Sequence, residues 1–459
     1  MDDRHDDLDS WLAGRIDPLY PPSGTFEAIR RRARHRKYRK LAVAAGSTAM
    51  IVAAAVTVPQ VVNFTAVSPP AGANALAGRQ TSVAPRTGGG IEESSGASLP
   101  TFPAPPRAPV PADFRPSSVT FVGTATGWVI GQAGTAGQCA TAFCTSVART
   151  DDAGNSWSGV PAPLTGAPDG ATGVSEIRFL DLDDGWAFGP ELWATHDGGL
   201  SWAQVDTDGQ RVTDLETVGH RVFAVFATCT GGGSAFADGC TSFTLYSSPA
   251  WVDDWTPVGA ATSGLTGGVS GSASLALTET RGYLLAPDGT LYAGPVDGSA
   301  AWQAVGRIPC YGAVGSAQAD GQPAGALLGA KNASSLILAC ALNPVPGGLQ
   351  KKLIFASADG GVSWHLTAVA PAQGVATSVA ASQAEAVILA TDQGLDLLPA
   401  GSTSWEQLTP IGAPPGGFSY VGMTTALQGV ALPADPAAGT VWFTFDGGQT
   451  WAPSMVGGS

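Results

Sequence analysis

Basic residues are scarce over most of this chain. Residues 113–459 hold ten Lys/Arg against twenty-eight Asp/Glu, a net charge of −18. So acidic a surface excludes nucleic acid and anionic lipid as partners for this region. Histidine is rarer still, five in all, and there is no Cys-x-x-Cys pair and no His beside any Cys pair. These gaps argue against a metal centre, and no cofactor motif stands out. Residues 117–150 contain no Asp. The chain is rich in Gly, with 61, and holds 13 Trp.

Those two residues recur together. Thr150-Asp-Asp-Ala-Gly-Asn-Ser-Trp157, Thr195-His-Asp-Gly-Gly-Leu-Ser-Trp202, Ser357-Ala-Asp-Gly-Gly-Val-Ser-Trp364 and Thr444-Phe-Asp-Gly-Gly-Gln-Thr-Trp451 are four copies of one turn. The Asp (Asp152, Asp197, Asp359, Asp446) can accept main-chain N–H groups of its own turn. The Gly (Gly154, Gly199, Gly361, Gly448) supplies positive φ. The Trp (Trp157, Trp202, Trp364, Trp451) opens the next strand and offers a large apolar face for packing between sheets.

Degenerate copies end at Trp255, Trp302 and Trp405, so the seven Trp positions are 45, 53, 47, 62, 41 and 46 residues apart. That is the length of a four-stranded propeller blade. Within each unit an alternating run, such as Val119–Val122 or Glu176–Leu180, precedes a Gly-containing turn and a second strand, such as Gly127–Ile130 or Gly185–Phe188. A third strand leads into the turn motif, and the Trp begins the fourth. The expected fold is all-β, a seven-bladed β-propeller over 113–459 with strands A to D running outward. The ring closes either by sheet packing alone or with a strand from the Pro-rich segment before Phe114; the residues leave both open.

The motif resembles the Asp box, (S/T)-x-D-x-G-x-(S/T)-W, of bacterial neuraminidase repeats. The stretches Phe121–Gly131 and Phe179–Gly189, each a Phe, a short turn and Gly-Trp-x-x-Gly, are similar to the photosystem II stability factor type of propeller. That second resemblance implies a non-enzymatic assembly role. The first raises sialidase chemistry, which as a family needs three Arg, a Tyr–Glu pair and an Asp acid. Here the Arg residues of the region are Arg115, Arg149, Arg178, Arg211, Arg221, Arg281 and Arg307; Arg149 and Arg178 read as surface residues near turns. Asp181, Asp183 and Asp184 read as an A–B turn, and His196, His220 and His365 as isolated.

Ahead of the propeller, residues 1–40 form a short tail of net charge +3, with eight basic residues between Arg30 and Lys40. Leu41–Val58 carries no charge over 18 residues, enough for a span when about 20 residues cross a bilayer. Residues 41–64 are expected to be an uncleaved transmembrane helix, with the basic cluster cytoplasmic and the C-terminal part outside. A cleaved signal peptide is the competing reading. Residues 65–112, with nine Pro among Ala, Gly and Ser, read as a disordered linker. The expected location is a bacterial plasma membrane, crossed once.

All six Cys lie in the propeller segment, which fits an oxidising compartment. Their spacing suggests Cys139–Cys144, Cys229–Cys240 and Cys310–Cys340. If the boxes are C–D turns, the insertions 131–144, 228–241 and 343–350 are B–C loops, and 160–173 and 307–325 are D–A connections. All of these emerge on the opposite face, where Phe143, Phe236 and Tyr311 become candidate recognition residues. The reading reached is a membrane-anchored extracytoplasmic propeller that binds or scaffolds a protein or cell-wall glycan without catalysis. The alternative is an Asp-box glycoside hydrolase, sialidase-like or another exo-glycosidase; a third reading is a sensor reporting through the tail.

Overall fold

The computed structural model describes residues 108–133, 144–230, 239–259, 262–266, 273–311, 323–345, 347–382, 385–436 and 439–457. The tail, the span and nearly all of the linker expected from the sequence lie outside these residues.

The described chain is a run of antiparallel meanders. Blade 1 comprises β1 (Arg115–Val122), β2 (Thr126–Ala133), β3 (Cys144–Thr150) and β4 (Ser158–Val160). Blade 2 comprises β5 (Glu176–Phe179), β6 (Gly185–Phe188), β7 (Leu192–Thr195) and β8 (Ala203–Gln204). Blade 3 holds β9 (Arg211–Val218), β10 (Arg221–Cys229), β11 (Cys240–Pro249) and β12 (Thr256–Pro257), with the short β13 (Leu265–Thr266) also pairing with β11. Blade 4 is β14 (Ser274–Leu277), β15 (Arg281–Leu285), β16 (Thr290–Pro295) and β17 (Gln303–Arg307). Blade 5 is β18 (Pro323–Ala330), β19 (Leu336–Leu342), β20 (Lys352–Ser357) and β21 (His365–Ala370). Blade 6 is β22 (Ala376–Ala381), β23 (Val387–Thr391), β24 (Gly394–Leu398) and β25 (Glu406–Leu408). Blade 7 is β26 (Phe418–Met423), β27 (Gly429–Pro433), β28 (Thr440–Thr444) and β29 (Ala452–Met455). The first strands of successive blades touch one another, β1 to β5, β5 to β9 and onward to β26, so strand A is innermost. This is a seven-bladed β-propeller.

Each sheet is apolar on both faces and must bury both, so the core is divided among the seams between blades. Seven apolar clusters fill the seven seams, and each contains one of the seven periodic Trp residues. Trp157 packs in the cluster of blades 7 and 1, Trp202 in that of blades 1 and 2, and Trp255 in that of blades 2 and 3. Trp302, Trp364, Trp405 and Trp451 occupy the next four in order. Trp157 Nε1 donates to Ser454 Oγ of blade 7 at 3.0 Å, and Trp202 Nε1 to the Pro161 carbonyl of blade 1 at 3.0 Å. A second set of aromatics reinforces the seams: the buried Trp128 of β2 stacks on Phe179 of β5, with centroids 3.8 Å apart and planes 4° apart.

The ring closes by sheet packing. Among the described residues no blade takes strands from both chain ends. Instead Val110 and Phe114, ahead of β1, share one cluster with Val456, beyond β29. Ala108 adds a single two-hydrogen-bond bridge to Gly159 on the outer strand of blade 1.

All four complete motifs build one C–D turn. In each, the Asp Oδ1 accepts the N–H four residues on at 2.9 Å and Oδ2 accepts the Ser or Thr hydroxyl of that same residue at 2.5–2.6 Å. The opening Ser or Thr hydroxyl donates to the Asp and accepts the N–H of Gly154, Gly199, Gly361 or Gly448 at 2.8–2.9 Å. Burial works against ionisation at Asp152, Asp197 and Asp446, but these bonds outweigh it and hold all three below the ordinary carboxylate range. At Asp359 the bonds from Ser363 dominate and hold it at about 2. Each turn is also tied to the A–B turn of its own blade, as in Gly198 N to the Asp183 carbonyl at 2.9 Å. Box turns and A–B turns therefore share a face, as the strand order predicts.

The box Gly has a second constraint. Its φ is positive, +84° at Gly154, and a Cβ there would strike the Phe443 ring of blade 7. Gly123 has a φ of +74° with no atom near its missing Cβ. Gly154→Ala should therefore lose about 2–4 kcal/mol, from backbone strain and from overpacking of the seam. Gly123→Ala should lose only the backbone part, about 1–2 kcal/mol. Denaturant unfolding of the two variants checks this; equal losses would mean the seam contact is unimportant.

Candidate functional site: the central channel and its mouth

Strand A lines the channel, and alternation decides which of its side chains face inward. In β5, Ile177 and Phe179 enter the core between blades 1 and 2, leaving Glu176 and Arg178 for the opposite side. In β9, Leu215 enters the core between blades 2 and 3, leaving Asp214 and Glu216. The A strands β14, β18 and β22 carry no charged residue. The ionisable groups of the channel wall are thus concentrated on blades 2 and 3.

Arg178 is the hub, and the expectation that it lies on the surface is corrected here: its side chain is 15% exposed. Nε pairs with Glu216 Oε1 at 3.0 Å, and Nη1 donates to Ser118 Oγ at 3.1 Å and to the Ile177 carbonyl at 2.9 Å. Glu176 Oε2 lies 3.9 Å from Nη1. Burial opposes its charge, but Glu216, Tyr420 and Glu176 more than offset this and raise its pKa. Asp214 Oδ1 accepts Leu215 N–H at 2.8 Å and Oδ2 accepts Leu275 N–H of blade 4 at 2.7 Å. Burial, then the charge of Glu216, pushes Asp214 up to about 7. Burial also raises Glu176 and Tyr420.

Above this cluster the channel opens on the face of the A–B and box turns. Two cavities of about 670 and 640 Å³ lie there. Both touch Thr217, Val218, Glu279, Met423 and Thr424, so they are contiguous; the first adds Lys331 and Glu385, the second Arg178, Glu216 and Tyr420. Lys331 Nζ pairs with Glu385 Oε2 at 2.9 Å.

The other candidates fall as follows. Asp152, Asp197, Asp359 and Asp446, with their Gly and Trp partners, are the turns and seams already described. Disulfides join Cys229 to Cys240 and Cys310 to Cys340, as the spacing suggested. Cys144 is disulfide-bonded; Cys139, Phe143 and Phe236 lie outside the described residues. Tyr311 closes the short 3-10 turn Pro309–Tyr311 on the D–A connection between blades 4 and 5. In chain order the expected insertions fall between B and C strands (131–144, 228–241 and 343–350) and between D and A strands (160–173 and 307–325), with 134–143, 231–238, 312–322 and 346 outside the described residues. Asp181, Asp183 and Asp184 do form an A–B turn, with Asp181 Oδ1 accepting the N–H groups of the other two at 2.9 Å. Arg149, 16% exposed, pairs with Asp151 at 2.7 Å and lies over the Trp128 ring. Among the described residues no cluster of three His, Cys, Asp or Glu is placed to hold a metal, and no helix is long and apolar enough to cross a membrane.

His196 is not isolated, contrary to the sequence expectation. Nδ1 meets Asp184 Oδ1 at 2.9 Å, and Nε2 meets Asp253 Oδ2 of blade 3 at 3.1 Å. Trp186 Nε1 donates to the other Asp253 oxygen at 3.2 Å. The imidazole bridges two carboxylates across the seam of blades 2 and 3. Burial opposes its charge, but Asp184 and Asp253 raise it from 6.5 to about 9. A group raised on folding stabilises fully below its unfolded pKa and loses that contribution as pH rises through the folded one. The stability difference between the native chain and His196→Gln should therefore be constant below pH 6.5 and shrink towards pH 9. Its size should be on the order of 1–2 kcal/mol, allowing for solvent screening. Denaturation series at several pH values test this; a pH-independent difference would contradict the bridge.

No family model matches the chain, and no curated protein matches it. Solved propellers do. One is YCF48 bound to D1 peptide, 16% identical with a TM-score of 0.47, covering 76% of this chain and 99% of that one. YCF48 from Cyanidioschyzon merolae is 15% identical with a TM-score of 0.43, covering 64% of this chain and 86% of that one. PorZ, a surface component of the type-IX secretion system of Porphyromonas gingivalis, is 12% identical with a TM-score of 0.39, covering 76% of this chain and 38% of that one.

Proposed function

We propose that this chain is a non-catalytic propeller that binds a protein partner outside the plasma membrane, held there by the uncharged run 41–64. One observation carries the binding half of this reading. Arg178, Glu216 and Asp214 of the channel are committed to one another or to the main chain, while the mouth above them is open. Arg178 is held by Glu216, and Asp214 has both oxygens on N–H groups. Chemistry needs groups free to change partners during a reaction; a rigid ring with an open polar mouth suits recognition. The other face, where the B–C and D–A connections emerge, is the second proposed contact surface, for a protein or a cell-wall glycan. The membrane half rests on the basic cluster before that run and on Cys confined to the segment after it.

One feature favours the alternative. Glu176, Asp214 and Glu216 surround Arg178, with Tyr420 on the same cavity as Glu216, and paired carboxylates are what glycoside hydrolysis uses. A single experiment separates the readings. Full-length chain in detergent is exposed to cell-wall glycans, sialosides and the host's membrane-protein extract, scoring retention and turnover together. Specific protein retention without turnover is the expected result. Release of sugar that disappears in Glu216→Gln would replace the proposal with the hydrolase. Alkaline extraction of host membranes checks the anchor: the chain should stay in the pellet.

A further inference from the structure

We propose that the channel mouth on the A–B turn face receives a lysine or arginine side chain presented by an extended segment of the partner. The inference deepens the partner-binding reading and rests on it. The argument is one of charge and shape together. Each cation at the mouth is already matched: Lys331 sits on Glu385 at 2.9 Å, and Arg178 on Glu216 at 3.0 Å. Glu279, at the tip of the blade 4 A–B turn, lines both cavities and has no ion pair or hydrogen bond among the described residues. An exposed carboxylate alone means little. This one stands over a hollow whose walls hold two further carboxylates, Glu385 and Glu216, already matched by Lys331 and Arg178, in a region of net charge −18. The field at the mouth is therefore negative, and it draws cations inward.

The lining supplies the rest of a cationic side-chain site. Leu277, Val218 and Met423 form an apolar wall along which an alkyl stem can lie, with its charged end at Glu279. Thr280 and Thr424 offer hydroxyls to an accompanying main chain. At about 640–670 Å³ each, the cavities have the volume of a small-ligand site. An acidic segment would meet Glu279, Glu385 and Glu216 with no free cation to receive it. A long apolar side chain would leave Glu279 desolvated.

The test uses the full-length chain in detergent and two blocked peptides, Gly-Ser-Lys-Ser-Gly and Gly-Ser-Glu-Ser-Gly, titrated calorimetrically into the millimolar range. The Lys peptide should bind, weaken as salt rises, and outcompete the Glu peptide. Glu279→Gln should raise its Kd about threefold and Glu279→Lys about tenfold or more. Glu406→Gln, on the exposed outer strand β25, should leave it unchanged. Glu279 is an exposed turn residue, so both variants should unfold as the native chain does, which a thermal melt verifies. Equal binding of the two peptides, indifference to Glu279→Lys, or no binding of either peptide would each overturn the site. The retention assay is repeated with Glu279→Lys alongside. Whole-partner retention that survives there, without peptide binding, would sink the mouth and leave the partner-binding role standing. Loss of retention by the native chain itself would sink the role.

Discussion

Everything in this structure depends on sheets packing on sheets around a closed ring. A four-stranded blade is apolar on both faces and has no interior of its own. It is stable only with a neighbour on each side, and the last neighbour must be the first blade. The indole at the start of each D strand serves that requirement at every seam, in complete and degenerate repeats alike. The Asp turn leads into that strand, and at Gly154, Gly361 and Gly448 the missing Cβ lets the preceding blade approach closely. Polar bridges across the seams, such as Asp184–His196–Asp253 between blades 2 and 3, are added to this packing.

The ring also explains where chemistry can be carried. Seams are full of carbon, so polar side chains are left to the channel, the two faces and the outer edge. The channel wall is not uniform. Blades 4 to 6 present small and apolar A strands, while blades 2 and 3 present Glu176, Arg178, Asp214 and Glu216. Burial in such a wall raises Asp214 to about 7, and the carboxylates around Arg178 outweigh the burial that opposes its charge. The result is a polarised channel with an open end, and its open end lies on the face of short turns. Loop length alone points to the opposite face.

Much of the fold was legible because the signals are local and repeated. The Thr150–Trp157 turn and its copies needed nothing beyond their own eight residues to be recognised, and Trp spacing counted the blades even where Asp and Gly were lost. Cys229–Cys240 and Cys310–Cys340 followed from proximity, although the second joins the exit of blade 4 to the B strand of blade 5. Glu-Ile-Arg-Phe reads locally as the approach to a turn, which puts Arg178 on the surface, whereas the ring turns it into the channel. The signal was present: in a propeller the A strand lines the channel, so charges at alternate positions of an A strand must face inward. His196 was missed for a different reason. Its partner Asp253 is 57 residues away in another blade's turn, and no local pattern connects them.

The sequence by itself determined the repeat, the strand order, the two turn faces and the identity of the seam residues, because each is written in the spacing of neighbouring side chains. The tertiary structure alone decided how the ring closes, which of the few charges meet, and that the cavities open among the A–B turns. Those outcomes depend on rotation between successive blades, a quantity set by how whole side chains interlock across a seam. No short stretch of chain carries it.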